Sequence, residues 1–274
     1  MRRWAWGLVL TLPLWWGCAP ALVRLPAGPG AVAPGYASAW TRATAACRGV
    51  RVLTAAIGVS GHVGPQRVHG RLLAGLARPD GLRLEAVAPF GQPAFVLVAR
   101  GGRATLLLPR DGRVLREADP AAVLEALAGV SLSPAGLLAA LSGCGTAGAT
   151  PVTGRAYGDD WIRVGLEDGS VAYLRRVQGV WRLVAALPAA GGGRQLRVDY
   201  ADFDAATPAD IRLSVAAADV ALHLQLSQID LNVPLAARAF QVDVPAGTQP
   251  LTLRELREAS PLGGPVSGHD GSRP

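Results

Sequence analysis

Short segments of strand composition, separated by tight turns, fill most of this sequence and restrict it to folds built on a large antiparallel sheet. Residues 82–88 show the pattern most clearly, because leucine and alanine alternate with arginine and glutamate in LRLEAVA. About a dozen such segments follow residue 50, and turns as short as PDG at residues 79–81 can join only antiparallel neighbours. One face of such a sheet is apolar and must be covered by other elements.

Two short helical segments interrupt the strands. Each begins with a capping side chain followed by proline, at Asp119-Pro120 and at Ser133-Pro134, and each ends at a glycine. A further helix is predicted at residues 36–47. These helices are the elements available to cover the apolar face. The predicted fold class is therefore mainly β (α+β), with a single curved antiparallel sheet.

The last long strand segment, residues 220–233, changes phase along its length. Leucines occupy positions 222, 224 and 226, whereas the apolar side chains that follow stand at 229, 231 and 233. An extra residue near Ser227–Gln228 would keep both sets on one face, so the sequence predicts a β-bulge there.

The N-terminus has the features of an export signal. A pair of arginines precedes an uncharged apolar run at residues 4–16, which is too short to span a bilayer comfortably, and Gly17 then precedes Cys18. Residues 1–17 resemble the signal peptide of bacterial lipoproteins, which would leave Cys18 as a lipid-modified first residue. The alternatives are an ordinary secretory signal and an uncleaved anchor helix. In the lipoproteins of enteric bacteria, an aspartate just after the cysteine retains the protein at the inner membrane. No aspartate follows Cys18 closely, so we expect this protein at the periplasmic face of the outer membrane.

Composition divides the rest of the chain. Residues 18–35 are rich in proline, glycine and alanine and are predicted to form a flexible tether, residues 36–260 the folded domain, and residues 261–274 a disordered tail. The formal charge is +7, yet the basic residues are scattered singly along the strand segments without a cluster of interleaved aromatics. We therefore expect no nucleic-acid partner, and we expect a monomer.

Cys47 and Cys144 are the cysteines that remain once Cys18 is assigned to the anchor. In an oxidising periplasm they are candidates for a disulfide bond. The alternative is a pair of buried free thiols, because cysteine packs well as a small apolar residue.

The sequence offers no constellation of catalytic or metal-ligating residues. If GPQR at residues 64–67 is a four-residue turn, His62 lies opposite His69, but no third ligand stands nearby in the sequence. GVSGH at residues 58–62 lacks the spacing of a nucleophile elbow and lies inside a strand segment. We therefore expect a protein that is not an enzyme and that holds no metal or cofactor.

Four short motifs stand out along the domain. They are APFG at residues 88–91, DPAAVLEALAGVSLSP at residues 119–134, the leucine-rich helix that ends at Gly143, and AFQVDVP at residues 239–245. With the order of helices and strands, they resemble the outer-membrane lipoprotein receptors and their periplasmic carriers, the LolB/LolA type. The resemblance implies an incomplete barrel with a helical lid and an apolar cavity that holds acyl chains.

Such a cavity would be lined by the apolar parity of each strand and lid helix. The residues predicted to line it are Leu82, Leu84, Val96, Val98, Leu106, Leu124, Leu127, Leu137, Leu138, Leu141, Leu222 and Leu224. The alternative is a filled core without a cavity.

The resemblance also implies a function. An outer-membrane-anchored lipoprotein of this kind would bind the acyl chains of lipids or lipoproteins and receive or insert them at the membrane, with a periplasmic carrier as a further partner. The alternative is a structural or interaction lipoprotein of an envelope assembly, which binds protein partners on the same sheet without lipid transfer.

Phe90 is the residue predicted to touch the membrane. It stands between Pro89 and Gly91 in the turn that joins two strand segments, where a large aromatic side chain has no core to enter unless the loop folds back. LolB-like proteins carry an exposed leucine at the matching loop position, so the resemblance implies the same role for Phe90. The alternative is that Phe90 caps the end of the sheet and is buried.

Overall fold

Fifteen strands form one open sheet in the computed structural model, which describes residues 22–88, 92–146, 148–189, 194–204 and 207–259. The strands are β1 (Ala31–Val32), β2 (Val52–Val63), β3 (Gln66–Ala77), β4 (Gly81–Val87), β5 (Val96–Arg100), β6 (Arg103–Leu108), β7 (Arg113–Ala118), β8 (Pro151–Tyr157), β9 (Trp161–Leu166), β10 (Val171–Val177), β11 (Val180–Leu187), β12 (Arg197–Asp204), β13 (Thr207–Val215), β14 (Val220–Leu231) and β15 (Gln249–Pro250). Their order is β1-β8-β9-β10-β11-β12-β13-β14-β2-β3-β4-β5-β6-β7-β15, and neighbours are antiparallel except β7 and β15. The sheet is therefore an incomplete barrel.

Strand β14 joins the two halves of the sheet. Strands β2–β7 form the N-terminal half and β8–β13 the C-terminal half, and β14 lies between β13 and β2 and pairs with both. Its pairing with β2 shifts between Ser227 and Asp230, and Gln228 has a φ of 53°. The predicted bulge is confirmed, and it keeps the apolar side chains of β14 on one face.

Helices cover one face of the sheet, which we call the inner face; the opposite one is the outer face. In the described residues they are α1 (Tyr36–Arg48), α2 (Pro120–Ala128), α3 (Pro134–Leu141) and α4 (Leu253–Ala259). Both predicted caps are confirmed, because Asp119 and Ser133 accept hydrogen bonds of 3.1 Å from the backbone N–H groups of Ala122 and Gly136. Helix α1 packs on β8–β11, α3 on β3 and β4, and α2 on β6 and α4. The predicted sheet with a helical lid is confirmed.

A disulfide bond fastens the lid, which is formed by α2 and α3, to the first helix, α1. Cys47, near the end of α1, is bonded to Cys144, three residues beyond α3, with 5.5 Å between the two Cα atoms. Both residues are buried. The bond therefore confirms the predicted pairing and connects a helix on the C-terminal half with a helix on the N-terminal half.

The segment that precedes α1 is not a free tether where the structure describes it. Ala31 and Val32 pair with β8, the hydroxyl of Tyr157 donates to the carbonyl of Gly28 at 2.9 Å, and Arg197 donates to the carbonyl of Val23. The expectation of a flexible tether is wrong for residues 22–35, because backbone groups can pair with a sheet edge and with side chains whatever the composition of the segment. Cys18 and the predicted tail lie outside the described residues, and none of the described helices is long and apolar enough to cross a bilayer.

Helix α4 begins with a reciprocal cap. The backbone N–H and the hydroxyl of Thr252 donate to the carboxylate of Glu255 at 2.8 and 2.7 Å, while the N–H of Glu255 donates to the Thr252 hydroxyl. Arg113 of β7 donates to the other carboxylate oxygen at 2.8 Å. The hydrogen bond from the Thr252 side chain, followed by that from Arg113, lowers the pKa of Glu255 to about 2.

Candidate functional site

The residues predicted to line a cavity are all buried, with exposures of 9% or less. Ten of them belong to the continuous core between the sheet and the helices: Leu82, Leu84, Leu106, Leu124, Leu127, Leu137, Leu138, Leu141, Leu222 and Leu224. In this conformation they pack against one another and against the lid.

Val96 and Val98 lie on the outer face, so their assignment to the cavity lining is wrong. The register places Leu97 opposite Leu84 on one side and Leu106 on the other, which puts Leu97 on the inner face. Strand β5 is apolar on both faces because a 3-10 turn at Ala237–Phe240 packs over the outer side of β4 and β5. Because both the odd and the even positions of β5 are apolar, the sequence pattern does not indicate which of its faces is the inner one.

Open space lies at one end of the lid. A pocket of about 520 Å³ is bounded by the connection between α2 and α3, by Pro188 and Ala189 after β11, and by Leu196 and Val215. This volume falls within the range of small-molecule sites. The apolar part of its wall is continuous with the core, since Leu196 and Val215 belong to both.

A glycine seats the end of α2 on the sheet beside this pocket. Gly129 caps α2 with a φ of 68°, in the left-handed region that favours glycine. A Cβ at this position would lie 2.7 Å from a methyl of Val220 and 3.0 Å from a methyl of Val63. The lid therefore touches the ends of β2 and β14 with only a glycine between them.

An ion pair closes the other side of the pocket. The carboxylate of Glu125 on α2 accepts a hydrogen bond of 3.0 Å from the guanidinium of Arg194, which precedes β12. Both side chains are partly exposed, so the pair contributes only about 0–1 kcal/mol. Parting the lid from the sheet at this point costs little.

Strand β4 ends on the same side of the sheet as the pocket. Strands β11, β13, β2 and β4 run in the same direction, because every second strand of an antiparallel sheet does. The last residues of β4, β11 and β13, which are Val87, Leu187 and Val215, therefore lie at the same end of the strands. Phe90 itself lies outside the described residues.

The histidines of the outer face do not pair with one another across the strands in the described part of the chain. His62 pairs with Arg67 rather than His69, because the turn at residues 64–65 has two residues and not four. His223 contacts Asp210 and faces Ser60 across the strands, but among the described residues no hydrogen bond joins the serine hydroxyl to the imidazole. No group of three His, Cys, Asp or Glu side chains that could hold a metal occurs in the described part of the chain.

Solved structures match this domain, although no protein-family model and no curated protein sequence does. A LolA superfamily protein, NE2245 from Nitrosomonas europaea, aligns with a TM-score of 0.53 and 13% identity over 75% of this chain and 96% of that one. The domain has a LolA-like fold. Two further matches have TM-scores of 0.46: a domain described as an outer membrane lipoprotein-sorting protein from Vibrio parahaemolyticus (12% identity) and a DUF1329 family protein from Desulfovibrio piger (11%). Each covers 74% of this chain, with 94% and 96% of the other.

This LolA-like fold confirms the resemblance inferred from the sequence and adds features that the sequence did not reveal. The Glu125–Arg194 pair joins residues that are 69 positions apart. Its signal was a single charge in the apolar helix α2, PAAVLEALA, whose carboxylate needs a partner or water. The inner position of Leu97 had no comparable signal.

Proposed function

We propose that this protein is a lipid-anchored lipoprotein at the periplasmic face of the outer membrane, where it binds acyl chains beneath its lid and receives or inserts lipoproteins or lipids. One observation carries the proposal. Short helices cover the apolar inner face of an open sheet, and a pocket lies between the α2–α3 connection and the ends of the strands. The LolA-like fold supports it. In this role the protein is a carrier and not an enzyme.

Burial of apolar area is the driving force for entry of a chain at this pocket. An acyl chain that buries ten methylenes gains about 8 kcal/mol. The Glu125–Arg194 pair opposes entry by about 0–1 kcal/mol, because both side chains are partly exposed. The remaining cost is the displacement of α2 and α3 from the sheet, while the disulfide keeps the end of the lid attached to α1.

A matched pair of substitutions tests acyl-chain binding. Leu127→Trp enlarges a buried side chain of the lid, whereas Leu73→Trp makes the same change on the outer face at a residue with 45% exposure. Native mass spectrometry of gently extracted protein should show less bound lipid for Leu127→Trp and an unchanged amount for Leu73→Trp. Thermal denaturation checks that both variants are folded, since overpacking costs about 1–3 kcal/mol.

The opposite result assigns these residues to a filled core. If Leu127→Trp and similar changes at other inner positions leave bound lipid unchanged, or if no lipid accompanies the wild-type protein, acyl-chain binding is refuted. A structural or interaction role in an envelope assembly then takes its place.

The anchor is tested separately at Cys18. Metabolic labelling with palmitate should mark the wild-type protein and leave Cys18→Ser unlabelled. Label that persists in the variant refutes anchoring at this residue.

A further inference from the structure

The outer face of β8–β11 concentrates positive charge that no carboxylate of the described residues neutralises. Arg155 lies directly opposite Arg163, and Arg175 lies directly opposite Arg182. Like charges in directly opposite positions destabilise a sheet. Among the described residues, no carboxylate forms an ion pair with any of the four. Folding alone does not explain this arrangement, whereas an anionic ligand would.

Aromatic rings support two of these guanidinium groups. The guanidinium of Arg175 lies 5.3 Å from the ring centre of Trp161, and that of Arg182 lies 5.4 Å from the ring centre of Phe203. Tyr173 lies directly opposite Arg163 in the same array. Rings beneath cations keep the guanidinium groups extended along the surface, where they can reach an external partner.

Exposed valines extend this surface to the edge of the sheet. Val177 and Val180 form a cross-strand pair at the turn between β10 and β11, with exposures of 39% and 51%. We call the four arginines and these two valines the arginine face. The valines lie at the turn, and the aromatic residues and arginines lie behind them along the strands. This order fits a membrane interface, where an apolar layer is followed by charged headgroups, better than it fits an acidic protein surface, which is polar throughout.

The chain itself brings a membrane close to this face. Val23 lines a groove of about 470 Å³ together with Val180, Arg182 and a single acidic residue, Asp202. If Cys18 carries the lipid anchor, Val23 is five positions from that anchor, and a fully extended chain of this length spans at most about 18 Å. The bilayer must then lie within that distance of the arginine face.

We propose that the arginine face docks on the anionic surface of the bilayer that holds the anchor. This inference rests on the proposed lipid anchor, and it goes beyond it by naming the orientation of the domain and the class of lipid it contacts. The valines enter the interfacial region and the arginines pair with lipid phosphates. Each arginine held near an anionic leaflet strengthens the contact roughly fivefold.

Chemical modification of arginine reads out this contact in the acylated protein. The protein is reconstituted in vesicles of two parts phosphatidylcholine to one part phosphatidylglycerol, treated with phenylglyoxal and mapped by mass spectrometry. Modification of the four arginines should slow by at least about tenfold relative to vesicles of phosphatidylcholine alone. Arg67 and Arg116, which are exposed on the N-terminal half, should react equally fast on both and serve as internal controls.

Charge reversal gives the matched variants. Arg175→Glu with Arg182→Glu should remove the protection of Arg155 and Arg163, whereas Arg67→Glu with Arg116→Glu should leave it intact. Equal reactivity on both vesicles, or protection that survives reversal of the face, overturns the proposal. Protection by added polyglutamate but not by vesicles assigns the face to an acidic protein and overturns docking on lipid.

Failure of the two proposals can be told apart on the same sample. A protein that does not float with vesicles lacks the anchor, and this overturns the docking along with the anchoring from which it follows. A protein that floats but shows no protection retains the anchor and refutes only the docking. Acyl-chain binding is scored independently by the lipid that co-purifies.

Discussion

Breaking the bond between Cys47 and Cys144 should destabilise the domain strongly. The two residues are 97 positions apart, so the bond closes a long loop in the unfolded chain. In the chain-entropy model a loop of this length corresponds to about 4.7 kcal/mol at 25 °C. For a domain of this size each kcal/mol shifts the melting temperature by about 2–4 °C, so Tm should fall by about 9–19 °C.

The bond should matter more for the lid than for the sheet. It connects α1, which packs on β8–β11, to the residues that follow α3, which packs on β3 and β4. Without it, α2 and α3 are held by packing and by the weak Glu125–Arg194 pair, and hydrogen exchange should accelerate in the lid before it does in β2 and β14.

The assay compares the wild-type protein, with and without dithiothreitol, with the double variant Cys47→Ala and Cys144→Ala. Differential scanning calorimetry gives Tm, and alkylation followed by intact mass counts free thiols. The double variant should melt near the reduced wild type and should not respond to dithiothreitol, which makes it the control for reductant effects. Two alkylatable thiols in the unreduced protein, or a fall in Tm of less than about 3 °C, would refute the reasoning.

Three further predictions follow from individual positions. Phe90→Glu should impair delivery of lipid to vesicles while lipid binding and Tm stay nearly unchanged, and a large loss of Tm would show that Phe90 is core. Gly129→Ala should lose about 2–4 kcal/mol of unfolding free energy, whereas Gly101→Ala, with a similar φ and open space around it, should lose about 1 kcal/mol; equal losses would contradict the close seat of the lid. The depressed pKa of Glu255 stabilises α4 at any pH above the ordinary range of glutamate, and this contribution should vanish as the pH falls through about 2. NMR titration should show the pKa rise toward its usual value in Thr252→Ala and by a smaller amount in Arg113→Ala, and no change in either variant would contradict the assigned causes.

Local signals in the sequence predicted local structure well. The caps at Asp119 and Ser133 and the bulge near Gln228 depend on residues within one turn or one strand, and all three are confirmed. The pairing of Cys47 with Cys144 was decided by composition and compartment rather than by geometry, and it is confirmed as well.

Features that depend on contacts between distant parts of the chain could not be predicted from the sequence. Strand β5 is apolar on both faces because residues 237–240, more than 130 positions later, cover its outer side, and nothing in AFVLVAR indicates that cover. The pairing of His62 with Arg67 depends on whether a turn has two or four residues, which sets the register of the whole hairpin. The arginine face is the clearest case, because its members are scattered along the chain and become neighbours only through strand pairing.

The position of β14 has a consequence for biogenesis. Thr54 of β2 contacts Asp230 of β14 across 176 residues, so the barrel wall stays split until the chain is available for folding as far as β14. Until β14 is available, β2 and β13 each present an unpaired edge, and such edges recruit other chains. A high local concentration of folding chains would therefore favour exchange of β14 between copies, and a holdase that shields these two edges would reduce that exchange.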